Sequence, residues 1–273
     1  MVQDLRGKWV LLTGAASGIG RETCLILARE GCNLILADID EEGLKSLAQQ
    51  LESLGAKVIS KVTDITNGDD IQALVDEVRE KVGAVDVLVN NAGIGMSEEL
   101  KDTTEEQWNR LLNINFMGAV NMVNAFLPDM IKNGGGQIVN MSTGQVFYPV
   151  PTWGAYAASK AALATYSECL TWELRRFGIK VTTIFPGLIS TPFYSEVEAH
   201  TFAQKLVLWW IKTFGATPEK MAAKIVGGMR RGKRRVIQSW LNWLTYLGRR
   251  AATHVYDLMG DTFAKVLGER REE

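Results

Sequence analysis

The stretch WVLLTGAASGIG, residues 9–20, carries the clearest indication of the fold. Its apolar half is typical of a buried strand, and Gly14, Gly18 and Gly20 follow where the chain turns into a helix. Glycines at such a turn let the backbone approach a phosphate closely, and the amides of the helix N-terminus converge on it. The spacing is GxxxGxG rather than GxGxxG. We therefore predict a dinucleotide site at this turn.

The rest of the chain alternates short apolar runs with longer segments of helical periodicity. This alternation is typical of a parallel sheet that is covered by helices on both faces. Strands are predicted at 9–13, 34–38, 57–61, 85–90, 137–142, 180–185 and 234–238. Helices are predicted at 19–30, 41–54, 68–82, 104–131 with a break near 114, and 153–177. We expect an α/β fold, a single doubly wound (Rossmann) domain over residues 1–273 with a parallel sheet of about seven strands.

Composition excludes several classes of function. The chain of 273 residues is 47% hydrophobic and 22% charged, as expected for a globular protein. Its two histidines lack partners at metal-ligand spacing, so we expect no metal site and no Ser/His/Asp triad. The three cysteines show no CxxC spacing and are expected to be reduced thiols. With no signal peptide expected at the N-terminus and no apolar run long enough to span a bilayer, a cytoplasmic location is predicted.

Two aspartates follow predicted strands. Asp38 ends the second strand, 18 residues after Gly20, where a carboxylate can bind both hydroxyls of an adenosine ribose and repel a 2′-phosphate. Residue 17 is serine rather than a basic residue, so we expect NAD as cofactor, with NADP disfavoured. The alternative is that Asp38 caps the next helix. Asp64 follows the third strand and either binds the adenine amino group or caps a helix.

The stretch YAASK, residues 156–160, places Tyr156 and Lys160 one helical turn apart on one face. They are either neighbours on a helix surface or a chemical pair. In the chemical pair, the ammonium lowers the pKa of the phenol so that it exchanges a proton near neutral pH.

Taken together, the motifs resemble those of short-chain dehydrogenases/reductases. Over about residues 5–195 they come in the family's order: TGAASGIG, Asp38, NNAG (90–93), NxxG at Asn115–Gly118, a Ser/Thr after the fifth strand, YAASK and PGLIST (186–191). The resemblance implies cofactor contacts from Gly14, Ser17, Gly18, Ile19, Gly20, Asp38, Asp64, Ile65, Asn91, Ala92, Gly93, Tyr156, Lys160, Pro186, Gly187, Ile189 and Thr191.

The resemblance also implies catalytic roles. Tyr156 would be the general acid/base, Lys160 would lower its pKa and hold the nicotinamide ribose, and Asn115 would hold a water that links Lys160 to solvent. A serine usually lies about thirteen positions before the tyrosine. That position is Thr143, with Ser142 one residue earlier, so spacing favours Thr143 and residue type favours Ser142. Both are candidates for the catalytic hydroxyl.

The expected reaction is NAD-dependent interconversion of a secondary alcohol and a ketone. The family places substrate choice in the loop after PGLIST; here residues 191–215 form a predicted substrate lid, notably apolar with Trp209 and Trp210. We expect Val146, Phe147, Tyr148, Val150 and Trp153 to line the pocket, which favours an apolar, steroid-, retinoid- or lipid-like substrate. The alternatives are a 3-oxoacyl-type reductase and a catalytically idle, membrane-associated dinucleotide-binding scaffold.

The C-terminal part is basic and aromatic. Residues 205–273 carry a net charge of +8, against −9 for residues 1–204. Residues 239–273 are predicted to be a basic, aromatic helical extension. The stretch 229–250 interleaves arginines with Trp240, Trp243 and Tyr246. It is a solvated face, a peripheral contact with an anionic membrane or, least favoured, a nucleic-acid contact. The family resemblance further implies a homodimer or homotetramer through the helices at 104–131 and 153–177.

Overall fold

The computed structural model of the chain describes residues 4–191, 193, 197, 202–239, 242, 243, 245 and 246. The predicted C-terminal extension therefore lies mostly outside the described residues, as do Trp240 and part of the predicted lid. The strands are β1 Trp9–Thr13, β2 Asn33–Asp38, β3 Val58–Val62, β4 Val87–Asn90, β5 Gly136–Met141, β6 Ile179–Phe185 and β7 Arg235–Ile237. The helices are α1 Gly18–Arg29, α2 Glu41–Ser53, α3 Gly68–Lys81, α4 Glu105–Leu112, α5 Gly118–Lys132, α6 Gly154–Glu173, α7 Phe202–Phe214 and α8 Pro218–Arg230.

All seven strands form one parallel sheet in the order β3-β2-β1-β4-β5-β6-β7. The prediction of a doubly wound α/β fold is confirmed. Strand β1 pairs with β2 on one side and with β4 on the other, so the direction of winding changes beside β1. Thr13 lies next to Ala37 and next to Asn90, which places the carboxyl ends of three strands together. In open α/β sheets ligands bind at this position.

Both faces of the sheet are buried, as the continuous apolar strands predict. On one face α1, α2 and α8 pack against residues such as Val10 and Leu12. On the other face α3, α5 and α6 pack against residues such as Leu11 and Ile138. Within the described residues no helix is long and apolar enough to cross a membrane.

The predicted break in the helix at 104–131 is a π-helical turn. Helix α4 runs into the π-helical segment Asn113–Met117, and α5 follows directly. Gly118 begins α5 where a Cβ would collide with the side chain of Ile65. The widened turn carries the buried side chain of Asn115.

Candidate active site

The glycine-rich turn is held in place by Asn91. The side-chain amide of Asn91 donates to the carbonyl oxygens of Thr13 at 3.1 Å and Gly14 at 2.9 Å. Gly14 has φ of +66°, and a Cβ there would lie 2.8 Å from the Cα of Ala92. A Cβ on Gly20 would collide with the carbonyl oxygen of Gly14. Gly14 and Gly20 are thus required for close packing between the turn and the NNAG segment.

The N-terminus of α1 suits an anion. Ser17 is the N-cap residue, its side chain makes no capping hydrogen bond, and the first turn contains no acidic residue. Ser17, Gly18 and Ile19 line a cavity at the carboxyl end of the sheet. Free amides and the positive end of the helix dipole favour a phosphate at this place.

Asp38 joins β2 to the glycine-rich turn. One carboxylate oxygen accepts from the amide of Ala16 at 2.9 Å and the other from the amide of Asp40 at 3.1 Å. The alternative that Asp38 caps the next helix is wrong, because Asp40 caps α2 by accepting from the amide of Gly43. Asp38 lines the cavity instead.

Asp64 and Ile65 lie at the same end of the sheet and line the same cavity. The carboxylate of Asp64 accepts from the amide and the hydroxyl of Thr66, both at 2.8 Å. The alternative that Asp64 caps a helix is also wrong, since Asn67 caps α3. Among the described residues, no basic side chain lies within 4.0 Å of the Asp64 carboxylate. This carboxylate can therefore accept further hydrogen bonds from a ligand in the cavity.

Tyr156 and Thr143 are neighbours at the wall of the cavity. Tyr156 lies in the first turn of α6, and the hydroxyl of Thr143 is close enough to lower the pKa of its phenol. The hydroxyl of Thr143 accepts from the amide of Gln145 at 3.3 Å. Ser142 is turned away, because its hydroxyl donates to the main-chain carbonyl of Lys160 at 2.9 Å. Of the two candidate hydroxyls, that of Thr143 is the one that acts on Tyr156.

Lys160 follows Tyr156 by one turn of α6 and is buried. Its ammonium donates to the main-chain carbonyl of Met141 at 3.0 Å. A Cβ on Gly93 would lie 2.8 Å from Lys160 Nζ and 2.8 Å from Asn115 Oδ1, so glycine leaves room for both groups. Asn115 accepts from the amide of Ile94 at 2.8 Å and donates to its carbonyl at 3.0 Å. Asn115 thus fixes the chain after Gly93 beside Lys160.

Burial dominates the proton equilibria of this pair. It raises the pKa of Tyr156 to about 12, although the hydrogen bond from Thr143 acts in the opposite direction. Burial lowers the pKa of Lys160 to about 8. The expected lowering of the Tyr156 pKa by Lys160 is not among the causes of this shift. Without a bound cofactor, the phenol therefore stays protonated at neutral pH, and the pKa of the Lys160 ammonium lies close to neutral pH.

The cavity brings nearly all the predicted cofactor residues together. Its volume is about 560 Å³, within the range of small-molecule sites. The predicted residues that line it are Gly14, Ser17, Gly18, Ile19, Asp38, Asp64, Ile65, Asn91, Ala92, Gly93, Ser142, Thr143, Tyr156, Lys160, Pro186, Gly187, Ile189 and Thr191. Gly20 and Asn115 do not line it; they pack behind it. A long groove with a phosphate-binding turn and a carboxylate beyond it fits a dinucleotide.

The turn at 186–191 is hydrogen-bonded to the segment after β5 and to the segment after β7. The carbonyl of Pro186 accepts from the amide of Gly144 at 2.7 Å. The side-chain oxygen of Gln238 accepts from the amide of Gly187 at 2.7 Å. Asn242 is buried beside Gly144. The sequence reasoning missed Gln238 and Asn242, and nothing in their local pattern marks them.

The walls near Tyr156 differ from the prediction. Tyr148 lines the cavity as predicted, and Trp153 packs edge-on against Tyr156 at 5.6 Å between ring centroids. Val146 and Phe147 do not line it; they face a second cavity of about 490 Å³ near β7.

Other residues form the wall in their place. Phe193 lies 5.6 Å from Tyr156 between ring centroids and closes over Gly95, where a Cβ would meet its ring at 2.6 Å. Gln145 and Leu188 line the same cavity. Gln145 stands out in the sequence as a polar residue in the apolar stretch after Thr143, and this signal could have identified it.

Comparison with known families and proteins agrees with the geometry. The family model described as short chain dehydrogenase matches residues 8–201. The 3-oxoacyl-[acyl-carrier-protein] reductase FabG of Thermotoga maritima is 39% identical over 222 residues, which cover 81% of this chain and 90% of that protein. The probable oxidoreductase EphD of Mycobacterium tuberculosis is 36% identical over 236 residues. The chain spans only 40% of the length of EphD.

Solved structures share the fold over most of the chain. A short chain dehydrogenase/reductase from Burkholderia phymatum in complex with NAD has a TM-score of 0.84 at 27% identity, covering 92% of this chain and 96% of that one. The L-sorbose reductase of Gluconobacter frateurii, complexed with NADPH and L-sorbose, has a TM-score of 0.77 at 28% identity, covering 87% and 95%. A xylitol dehydrogenase bound to NAD⁺ has a TM-score of 0.77 at 26% identity, covering 86% and 97%.

Proposed function

Because the chain belongs to the short-chain dehydrogenase family, we propose that it is a nicotinamide-dinucleotide oxidoreductase that interconverts a secondary alcohol and a ketone. One observation carries the proposal. Tyr156 and Thr143 lie together at the wall of the cavity, where Thr143 acts on the pKa of Tyr156, and buried Lys160 follows one turn later on the same helix. A proton donor, a second hydroxyl and a cation thus converge where a reacting oxygen would lie.

The chain's own residues divide the chemistry of the reaction. When bound, the nicotinamide dinucleotide supplies or accepts the hydride. Tyr156 donates a proton to the ketone oxygen in reduction and removes it from the alcohol in oxidation. Thr143 donates a hydrogen bond to the same oxygen, on which negative charge develops. Lys160 holds the nicotinamide ribose through its ammonium, and Asn115 keeps the neighbouring backbone at Gly93 and Ile94 in position.

We propose NAD rather than NADP as the cofactor. Asp38 lies at the carboxyl end of β2 with its carboxylate held by two backbone amides, and Ser17 replaces a basic residue beside the turn. A ribose with free hydroxyls can bind that carboxylate, whereas a 2′-phosphate would be repelled by it. The similar structures include one complex with NAD, one with NAD⁺ and one with NADPH, so the carboxylate is the stronger argument.

The substrate is proposed to be apolar, of a steroid-, retinoid- or lipid-like kind. Around Tyr156 the wall is formed by Phe193, Leu188 and Tyr148, and the apolar cluster behind it includes Trp153 and Ile211. Arg110 and Lys160 are the described cations among the residues that line the cavity, and the ammonium of Lys160 already donates to the carbonyl of Met141. The relation to FabG favours a second candidate, a 3-oxoacyl-type reductase.

Assembly and location are proposed from the exposed surfaces. Met117 and Trp172 lie exposed on the helices that we expect to form a homodimer or homotetramer. A cytoplasmic location is proposed, with the basic C-terminal segment as a possible contact with anionic lipid. Nucleic acid is not a proposed partner.

A turnover screen tests the proposed function. Purified protein is given NAD⁺ or NADP⁺ with secondary alcohols graded from short and polar to bulky and apolar, and with 3-oxoacyl thioesters in the reverse direction. We expect NAD⁺-dependent turnover that increases with apolar bulk. Turnover of short polyols alone would contradict the apolar pocket, and reduction of 3-oxoacyl thioesters alone would favour the second candidate. Tight NADH binding without any turnover would favour an idle scaffold.

A further inference from the structure

Helix α7 presents an apolar surface to the outside of the molecule. The side chains of Leu206, Trp209, Trp210 and Phe214 are 52%, 56%, 48% and 62% exposed. The ring of Phe214 lies 6.0 Å from each tryptophan ring between centroids. We call these four residues the outer face of α7. A contiguous exposed aromatic surface marks an interaction site more often than a scattered apolar side chain does.

The inner side of the same helix already has a role. Ile211 is buried and belongs to the apolar cluster of Trp153, Tyr156 and Val197, against which Leu208 also packs. The helix is therefore attached to the catalytic region through Ile211 and Leu208. Because this attachment does not use the outer face, folding of the lid alone does not explain why the outer face is apolar.

The composition of α7 identifies the kind of surface that would cover its outer face. Residues 202–214 contain two lysines and no acidic residue, and Lys205 and Lys212 are both exposed. Tryptophan prefers the boundary between lipid headgroups and acyl chains, and lysine is attracted to anionic headgroups. Helices with this combination lie in the plane of a lipid interface. We propose that the outer face of α7 docks on an anionic lipid surface.

The length of α7 agrees with lying on a bilayer rather than crossing it. The helix has 13 residues. At its helical rise it is about 20 Å long, shorter than the roughly 30 Å hydrocarbon core of a bilayer. Docking would therefore insert only the aromatic side chains and leave the sheet and the dinucleotide cavity in water.

Docking through α7 would bring the cavity wall at Leu188 close to the lipid. Ser190 and Ala216 lie at the two ends of the segment that carries α7, and they are hydrogen-bonded to each other. The amide of Ser190 donates to the carbonyl of Ala216 at 2.9 Å, and the amide of Ala216 donates to the carbonyl of Leu188 at 3.0 Å. Leu188 lines the cavity beside the turn. This step rests on the proposed function: an apolar alcohol dissolved in the lipid would reach Tyr156 without crossing water.

Vesicle sedimentation of the full chain tests the proposal. Vesicles of phosphatidylcholine, with and without ~30% phosphatidylserine, provide the neutral and the anionic surface. Trp209→Ser/Trp210→Ser should lower the partition coefficient on anionic vesicles about tenfold or more. Leu54→Ser is the control, because Leu54 lies outside α7 and outside the helices proposed for the oligomer, is 42% exposed, and its loss should change binding less than about twofold. Lys205→Gln/Lys212→Gln should abolish the preference for phosphatidylserine.

The alternative outcomes are distinct. Thermal melting and NADH binding check that each variant is folded, and sedimentation velocity without lipid measures the assembly state. Equal binding by wild type and the double tryptophan variant would overturn the proposal. The proposal would also be overturned if the wild type did not bind vesicles and formed a dimer that the double tryptophan variant no longer formed. A second copy of the chain would then cover the outer face. Vesicle binding is measured without substrate, so an enzyme that binds lipid but oxidises no alcohol contradicts the proposed function alone.

Discussion

The hydroxyl of Ser142 donates to the main-chain carbonyl of Lys160 at 2.9 Å, so this serine ties β5 to α6 and faces away from Tyr156. Thr143, the next residue, is the one whose hydroxyl lies close enough to Tyr156 to lower its pKa. We expect Thr143→Ala to lower kcat about 100-fold, because the reacting oxygen loses a hydrogen-bond donor. Ser142→Ala should leave kcat within about threefold and cost about 0.5–1.5 kcal/mol of unfolding free energy, since one buried hydrogen bond between the segment after β5 and α6 is lost.

Steady-state kinetics and denaturant unfolding of both variants measure the two effects separately. Thr143→Ser keeps the hydroxyl and should retain most of the activity. A larger loss of kcat in Ser142→Ala than in Thr143→Ala would assign the catalytic hydroxyl to Ser142 instead.

Tyr156 can be tested against Tyr148, a second, half-buried tyrosine that lines the same cavity. Burial raises the pKa of both Tyr156 and Tyr148 to about 12, so the two phenols have similar surroundings. Tyr156→Phe should lower turnover at least about 1000-fold, because the proton donor is lost, while NADH binding stays nearly intact. Tyr148→Phe should change turnover less than about tenfold. Steady-state kinetics measure the turnover of both variants, and fluorescence titration measures their affinity for NADH. Retained turnover in Tyr156→Phe would show that the phenol is not the proton donor.

The fold follows from the sequence because its signals are local and agree with one another. Apolar runs such as 9–13 and 180–185 suit strands that are buried on both faces, and glycines appear at the turn where backbone must pack closely. Parallel topology then brings the carboxyl ends of the strands together. Asp38, Asn91 and Gly14 therefore converge although they are far apart in the chain.

The details of the candidate site depend on packing that local pattern does not encode. Ser142 and Thr143 follow β5 directly, and which hydroxyl reaches Tyr156 is decided by how that segment packs under α6. Helix α7 is apolar on two sides, and the contact of Ile211 with the catalytic cluster decides that Trp209 and Trp210 lie on its exposed side. Gln238 reaches Gly187 only because β7 joins the sheet next to β6.

Asp38 is expected to control cofactor choice through its charge. Asp38→Asn keeps an acceptor for the amide of Ala16 but removes the negative charge that would oppose a 2′-phosphate. The ratio of kcat/KM for NAD⁺ to that for NADP⁺ should fall about 10-fold to 100-fold. Asp64→Asn is the control, because this carboxylate lines the same cavity and should affect both cofactors alike. An unchanged ratio in Asp38→Asn would refute the ribose assignment.

Lys160 is expected to make the affinity of the protein for its cofactor dependent on pH. Burial lowers the pKa of Lys160 to about 8 in the protein alone, whereas a ribose that accepts hydrogen bonds from the ammonium would favour the charged form and raise this pKa. Below about pH 8 the ammonium is already charged, so the Kd for NADH should be independent of pH. Above about pH 8 binding must take up a proton, and the Kd should rise toward tenfold per pH unit.

Fluorescence titration of NADH between pH 6 and about pH 10 measures this profile, and the pKa of Tyr156 at about 12 keeps the phenol protonated throughout. Calorimetry at pH 9 in two buffers of different ionisation enthalpy counts the proton directly, with an expected uptake approaching one. Lys160→Met should bind NADH more weakly with a flat profile, because no ammonium is left to titrate. A flat profile in the wild type would mean that Lys160 does not hold the ribose as an ammonium.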